Sequence, residues 1–285
     1  MKREQTEDPS DSAPGVEGEL KEDRYVGGRD LTHWSTRAGA AVEHVARRVG
    51  ERIGPYTALV ITLIVGLALV VALSVAAVEV YDAVADGDGV AGIDEPMLLF
   101  MMTLRSPGFD VAVTAFTDIA GTIGMPVIAV LGMLVLGIKR RSWTPVVIIA
   151  AAGAGSLLMT IAGKELIQRE RPPLVDAVPP FEYSPSFPSG HTLNAVAVVG
   201  AIAYLLVLRR TSRGARIAII AAAVAFDLLV GMSRVYLGHH WFTDVLVGWI
   251  LGVLWLALVI TAHRLYLTIR RQRHPSPDAV PVDRS

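Results

Sequence analysis

Three short stretches of this 285-residue chain hold charged and nucleophilic side chains at spacings that suit chemistry on an anion. In "GKELIQRERPP", Lys164 and Arg171 stand seven residues apart, two helical turns, so both cations share one helix face. In "SFPSGHTLN", Pro188, Ser189 and Gly190 precede an apolar run and read as the start of a helix, with His191 in its first turn. The free backbone N–H groups and positive dipole end of such a start attract anions. In "GMSRVYLGHHWFTDV", Ser233, Arg234, His239, His240 and Asp244 fall within one short span. Charged side chains beside a bilayer are costly and usually have a job or a partner.

Phosphate is the ligand that this set suits, because it wants cations and N–H donors together. Cleaving a phosphoester also requires a nucleophile and a proton donor for the leaving oxygen. His240 and Asp244 are i and i+4, about 6 Å apart along a helix axis and on one face. A carboxylate there can accept from one ring nitrogen, fixing the tautomer and leaving the other free to attack. His191 is then the acid. The cations already supply the charge, so no metal and no cofactor is required.

The elements that must position these groups are membrane spans. Hydrophobic residues make up 52% and charged ones 19%, and the mean hydropathy of +0.48 is high for a soluble chain. The net charge of -1 argues against a nucleic-acid partner, since no broad basic surface is available. There are no cysteines, which excludes disulfides, thiolate nucleophiles and Cys-ligated zinc. The polar first thirty residues lack the apolar core of a signal peptide.

A spanning helix needs about 20 mostly apolar residues. Six gaps between charges meet or approach that length: between Arg52 and Glu79, Asp118 and Lys139, Arg141 and Lys164, His191 and Arg209, Arg216 and Arg234, and Asp244 and His263. The fifth is interrupted by Asp227. With the N-terminus inside, fifteen Lys and Arg fall at cytoplasmic ends against five outside, so both termini are expected in the cytoplasm. This topology brings all three polar stretches to the outer face. The expected fold is all-α, a six-transmembrane helix bundle over residues 55–271. It is flanked by an amphipathic juxtamembrane helix at 35–54 and disordered polar tails at 1–34 and 272–285. The stretch "FMMTLRSPGFDVAVTAFTDIAG" reads as an outer-face helix or re-entrant segment, and Glu79, Asp82, Asp86 and Asp88 as an acidic outer loop.

With these residues in place, the sequence resembles the type-2 phosphatidic acid phosphatase superfamily, membrane lipid phosphatases related to vanadium haloperoxidases. Residues 164–172 match K-x6-R-P, residues 188–191 match P-S-G-H, and residues 233–244 match S-R-x5-H-x3-D. The resemblance implies that Lys164, Arg171 and Arg234 bind phosphate, with Ser189 and the Gly190 backbone. It implies that His191 protonates the leaving group, that His240 forms a phosphohistidine which water hydrolyses, and that Asp244 orients His240. It further implies a lipid phosphate or pyrophosphate as substrate, of undecaprenyl pyrophosphate, phosphatidylglycerophosphate or phosphatidic acid type, acted on at the outer face of the cell membrane. The compact core, with only a short 172–187 connection, leans the reading toward a polyprenyl pyrophosphate.

Taken singly, each feature has a plainer meaning. Arg234 could be a snorkelling anchor, Ser189 an N-cap, and His240 with Asp244 a structural pair. Their conjunction on one membrane face favours the site. His239, about 100° around from His240 if that turn is helical, reads as a loop or headgroup-facing residue. Arg169 and Glu170 lie outside the motif and read as solvated. Asp227 is expected to pair within the bundle or face a wet cleft. Two rivals remain: a phosphotransferase, in which an alcohol replaces water, and a transporter whose polar groups line a path.

Overall fold

The computed structural model describes residues 24–26, 29–33, 44, 64–66 and 90–273. The first expected span, the juxtamembrane helix, the acidic loop and the C-terminal tail lie outside the described residues, apart from His44 and residues 64–66 in helical backbone and residues 272–273, which continue the last helix where the disordered tail was expected to begin. Within the N-terminal segment read as disordered, Tyr25–Val26 (β1) and Arg29–Asp30 (β2) form an antiparallel two-stranded hairpin. An Arg24–Asp30 ion pair closes it, and Arg264 Nε donates to the Leu31 carbonyl at 2.9 Å. That ion pair and the docking onto a helix supply order that composition alone did not reveal.

The rest is helical. A 3₁₀ turn at Val90–Ile93 leads into α1 (Asp94–Thr103) and α2 (Pro107–Asp118). These two short helices occupy the stretch expected to hold an outer-face helix and pack beside α6. Then come α3 (Gly124–Arg140), α4 (Thr144–Ile167), α5 (Gly190–Leu208), α6 (Arg213–Tyr236) and α7 (Phe242–Arg273). Four of them, α4 to α7, are long and apolar enough to cross a membrane. Helix α3 has seventeen residues, the short limit for a bilayer core. The expected six spans are thus four candidates among the described residues.

Helix α5 is the central post, packed on α4, α6 and α7, with Leu193, Ala195, Ala197, Ala201 and Leu205 fully buried. Its small side chains let neighbours approach closely, as membrane interfaces favour. Opposite, Trp255 of α7 is buried against α4, and its Nε1 donates to the Ala152 carbonyl at 3.1 Å. A Cβ on Gly155 would lie 2.0 Å from that indole, so only glycine fits there. Helix α4 starts on a proline in its first turn and ends where Gln168 turns left-handed (φ 50), redirecting the chain into "RERPP".

Candidate active site

The joint between α6 and α7 sets the geometry of the third motif. Helix α6 ends at Tyr236, and Gly238 follows with φ +69, the left-handed conformation that glycine adopts at a helix C-terminus. A Cβ there would also sit 2.5 Å from the Asp176 carbonyl oxygen. The chain turns back, so the N–H groups of His239 and His240 both donate to the Arg234 carbonyl, at 3.0 and 3.3 Å. Helix α7 begins only at Phe242. His240 and Asp244 therefore do not share a helix face, as their spacing suggested. They meet because a turn carries the imidazole over the first helical turn, with Nδ1 3.6 Å from Asp244 Oδ2.

The connection 172–187 is pinned against this joint. Val178 N donates to the Leu237 carbonyl at 2.8 Å, and His239 Nε2 lies 2.7 Å from the Val178 carbonyl. Arg105 clamps the same region, donating to the carbonyls of Tyr236 (2.8 Å) and Asp176 (2.7 Å). His239 lies in the loop, as one of its two readings had it, but at 3% exposed it is a buried strut on the cavity wall and does not face headgroups. Burial, with Arg234 next in weight, pushes its imidazole down to about 4.

The structure gathers the predicted cations. Arg171 Nη1 donates to the His239 carbonyl and lies 3.4 Å from His240 Nε2. Lys164 Nζ donates to Ser184 Oγ at 3.0 Å and to the Pro185 carbonyl. Arg234, 1% exposed, reaches from the last turn of α6. Lys164, Gly190, His191, Arg234 and His240 all line one cavity of about 910 Å³. A Cβ on Gly121 would lie 3.4 Å from His191 Nε2, so the α2–α3 turn backs that imidazole. Ser189 is placed differently: its side chain is fully buried, accepts from Thr192 Oγ1 at 2.9 Å, and is absent from the cavity wall. It sits at the start of α5, whose first N–H groups have no intrahelical partner.

Three participants were not foreseen. Glu182 bridges the cations, its Oε2 2.8 Å from Arg171 Nη2 and its Oε1 on Arg234 Nη2. Burial works to raise its carboxyl, but the Arg234 and Arg171 guanidinium groups outweigh it and hold the group at about 2. Ser186 donates to Asp244 Oδ2 at 2.5 Å and faces His240 Nδ1 at 3.4 Å. Arg169, expected to be solvated, is ion-paired with Asp244 (2.5 Å) and Asp94 (2.7 Å). The two carboxylates outweigh the pull of burial and hold its guanidinium more firmly protonated than usual. His240, fully enclosed and flanked by Arg171 and Arg234, is pushed well below the ordinary histidine value, which keeps its ring neutral.

Away from the cation end the same cavity is apolar. Met125, Pro126, Ala129 and Met133 of α3 face Ile149 and Leu157 of α4 across it. From Lys164 to Ile149 the wall follows α4 for roughly 20 Å. Asp227 does not take part: its side chain is buried in α6, and Oδ1 has no hydrogen-bond partner among the described residues. Nor do the described residues hold a cluster of three or more His, Asp or Glu arranged for a metal ion.

A helical membrane bundle built around these three motifs is a known class, and this chain belongs to the PAP2 superfamily, whose model matches residues 127–266. It is 37% identical over 175 residues to phosphatidylglycerophosphatase B of Bacillus subtilis, covering 60% of this chain and 84% of that protein. It is 30% identical over 135 residues to decaprenylphosphoryl-5-phosphoribose phosphatase of Mycobacterium tuberculosis, covering 46% and 66%. Among solved structures it resembles the transmembrane PAP2-type phosphatidylglycerolphosphate phosphatase of Bacillus subtilis. That match has a TM-score of 0.58 at 31% identity and covers 68% of this chain and 92% of the other. The protein is a membrane protein of this family.

Proposed function

We propose that the protein is a lipid phosphatase that works through a phosphohistidine at His240. The observation that carries this is a single cavity with Lys164, Arg234, His191 and His240 at one end and an apolar wall at the other, with Arg171 3.4 Å from the His240 Nε2. Phosphate seats between Lys164, Arg171 and Arg234, with N–H groups at the start of α5, and displaces Glu182. The Nε2 of His240 attacks phosphorus as the ester P–O bond breaks, and His191 gives its proton to the leaving oxygen. Asp244 and Ser186, both facing Nδ1, hold the tautomer. Water then attacks phosphorus as His191 takes its proton, the P–N bond breaks with its pair returning to His240 Nε2, and inorganic phosphate leaves. The cations offset the charge that builds on the phosphoryl oxygens, so no metal has a part.

The substrate is a lipid phosphate whose chain lies along the apolar wall. Similarity to phosphatidylglycerophosphatase B, over most of that protein, favours phosphatidylglycerophosphate. The polyprenyl leaning drawn from the compact core finds support in the mycobacterial relative, whose name includes a decaprenylphosphoryl group. Purified protein should release phosphate from phosphatidylglycerophosphate faster than from phosphatidate or undecaprenyl pyrophosphate, with no loss on adding EDTA. A strict Mg²⁺ requirement contradicts the metal-free route.

Glu182 supplies a further check. Its carboxylate competes with phosphate for two guanidinium groups, and a charge interaction in such a site is worth about 1 kcal/mol or more. Glu182→Gln should tighten product inhibition by inorganic phosphate by roughly fivefold; weaker inhibition would show that the carboxylate helps to hold the anion. The arrangement in the membrane belongs to the same proposal: six spans, both termini cytoplasmic, and the site on the outer face. A reporter fused after Val178 should then read as extracytoplasmic, and a cytoplasmic signal there reverses the topology.

A further inference from the structure

We infer that Arg169 is a positioning residue for His240, holding from one side both groups that face the His240 Nδ1. The inference rests on the proposed role of His240 as phosphoryl acceptor. Arg169 lies outside the three motifs, in the segment that leaves α4 after the left-handed turn at Gln168. Its Nη1 donates to Asp244 Oδ1 at 2.5 Å and to Thr243 Oγ1 at 2.7 Å. Its Nη2 donates to Asp94 Oδ2 at 2.7 Å. Its own carbonyl accepts the N–H of Ser186 at 2.8 Å.

This arrangement divides the Asp244 carboxylate into two halves. Oδ1 is taken by Arg169, while Oδ2 accepts from Ser186 Oγ (2.5 Å) and Trp241 N (3.0 Å) and faces His240. With Oδ1 pinned, the carboxylate cannot rotate away from the imidazole. Ser186 is fixed from the same residue through its backbone. Asp94, 4% exposed, anchors the far side of the guanidinium and accepts from Thr243 N and Oγ1, at 2.8 and 2.7 Å. Helix α1 is thereby tied to the first turn of α7. Hydrogen-bond partners of metal-ligating histidines orient those rings in this way at about 10–100-fold in activity, and a loss of the same order is expected for a partner that orients a reacting imidazole.

The charge also matters. Around His240 stand the cations Arg171, Arg234 and Lys164, the carboxylates Glu182 and Asp244, and the neighbouring His239. Arg169 touches only Asp244 in this group, and it offsets that negative charge. Without it, Asp244 favours the imidazolium form of His240, so more of the nucleophile is protonated at a given pH. The acid limb of kcat/KM, which reports the free nucleophile, then moves to higher pH. A purely structural ion pair would lower the amount of active protein and leave the limb in place.

The test compares wild type, Arg169→Met, Arg169→Lys, Asp94→Asn and His240→Ala in detergent micelles, following phosphate release from phosphatidate from about pH 4.5 to 8.5. Arg169→Met should lose roughly 10–100-fold in kcat with KM within about threefold, since the phosphate cations are untouched. Its acid limb should rise by about half a unit or more, and Arg169→Lys should recover much of both. Asp94→Asn should lower kcat without raising the limb, because Arg169 still meets Asp244. That variant and Arg169→Lys carry the test if Arg169→Met does not fold. An unmoved limb in Arg169→Met, or an upward shift in Asp94→Asn, overturns the inference. An active His240→Ala would instead overturn the phosphohistidine reading, so the two failures are distinguishable.

Discussion

His240→Ala should abolish phosphate release while the protein remains folded in detergent, with turnover down by at least about 10³-fold. The expectation rests on position more than on residue type. His240 is the imidazole whose Nε2 lies beside Arg171, at 3.4 Å, while Nδ1 faces Asp244 and Ser186. No other group in the cavity has both a free nitrogen at the cation cluster and a carboxylate behind it. His239→Ala provides the contrast. That ring spends Nε2 on the Val178 carbonyl and braces the loop, so its loss should cost stability and some activity but leave the chemistry intact. Equal loss in the two variants would mean that the nucleophile has been misassigned. Thermal unfolding measured beside the kinetics separates the strut from the nucleophile.

The second large effect is expected at His191, and it should depend on the leaving group. A general acid contributes about 10²–10⁴-fold when the departing oxygen is a poor leaving group. His191→Ala should therefore lose that much on an alkyl phosphate such as phosphatidate. On an aryl phosphate, whose phenolate departs without a proton, the first step, read as the rate of the phenolate burst, should lose no more than about tenfold, although hydrolysis of the phosphohistidine slows because His191 is its base. His240→Ala should be inactive on both. If the first step in His191→Ala suffers equally with aryl and alkyl substrates, its role is to bind the phosphoryl group and the acid lies elsewhere.

Much of the site was legible because its members recur at fixed spacings next to apolar runs. The Pro-Ser-Gly before α5 declares a helix start, but the shared helix face expected of Lys164 and Arg171 does not form: α4 ends at Ile167, Gln168 turns left-handed, and Arg171 reaches the site from the loop beyond. Helices α4, α5 and α6 lie close to the charge gaps that announced them, and α7 runs ten residues beyond His263. What was not legible depends on contacts distant in sequence. Glu182 sits in a loop whose path is set by hydrogen bonds to the α6–α7 joint, and nothing in "PPFEYSPSF" shows that its carboxylate will face two arginines. Asp94 lies 75 residues from Arg169, and only the packing of α1 beside α7 brings them together. Ser189 matched its motif, yet its hydroxyl turned inward to Thr192. The break at Gly238 did have a signal, a glycine just past an amphipathic run, which marks a helix end. Reading that glycine as a stop would have separated His240 from the helix that carries Asp244.

The long apolar wall of the cavity, along α3 and α4, changes what concentration means for this protein. A lipid that reaches the phosphate end by that wall arrives by diffusion within the bilayer, so the quantity that sets occupancy is its mole fraction per unit of membrane area. Diluting the substrate with inert lipid should slow the reaction even when the amount per volume of suspension is unchanged. Adding more vesicles of the same composition should leave the fractional occupancy of membrane-embedded protein where it was.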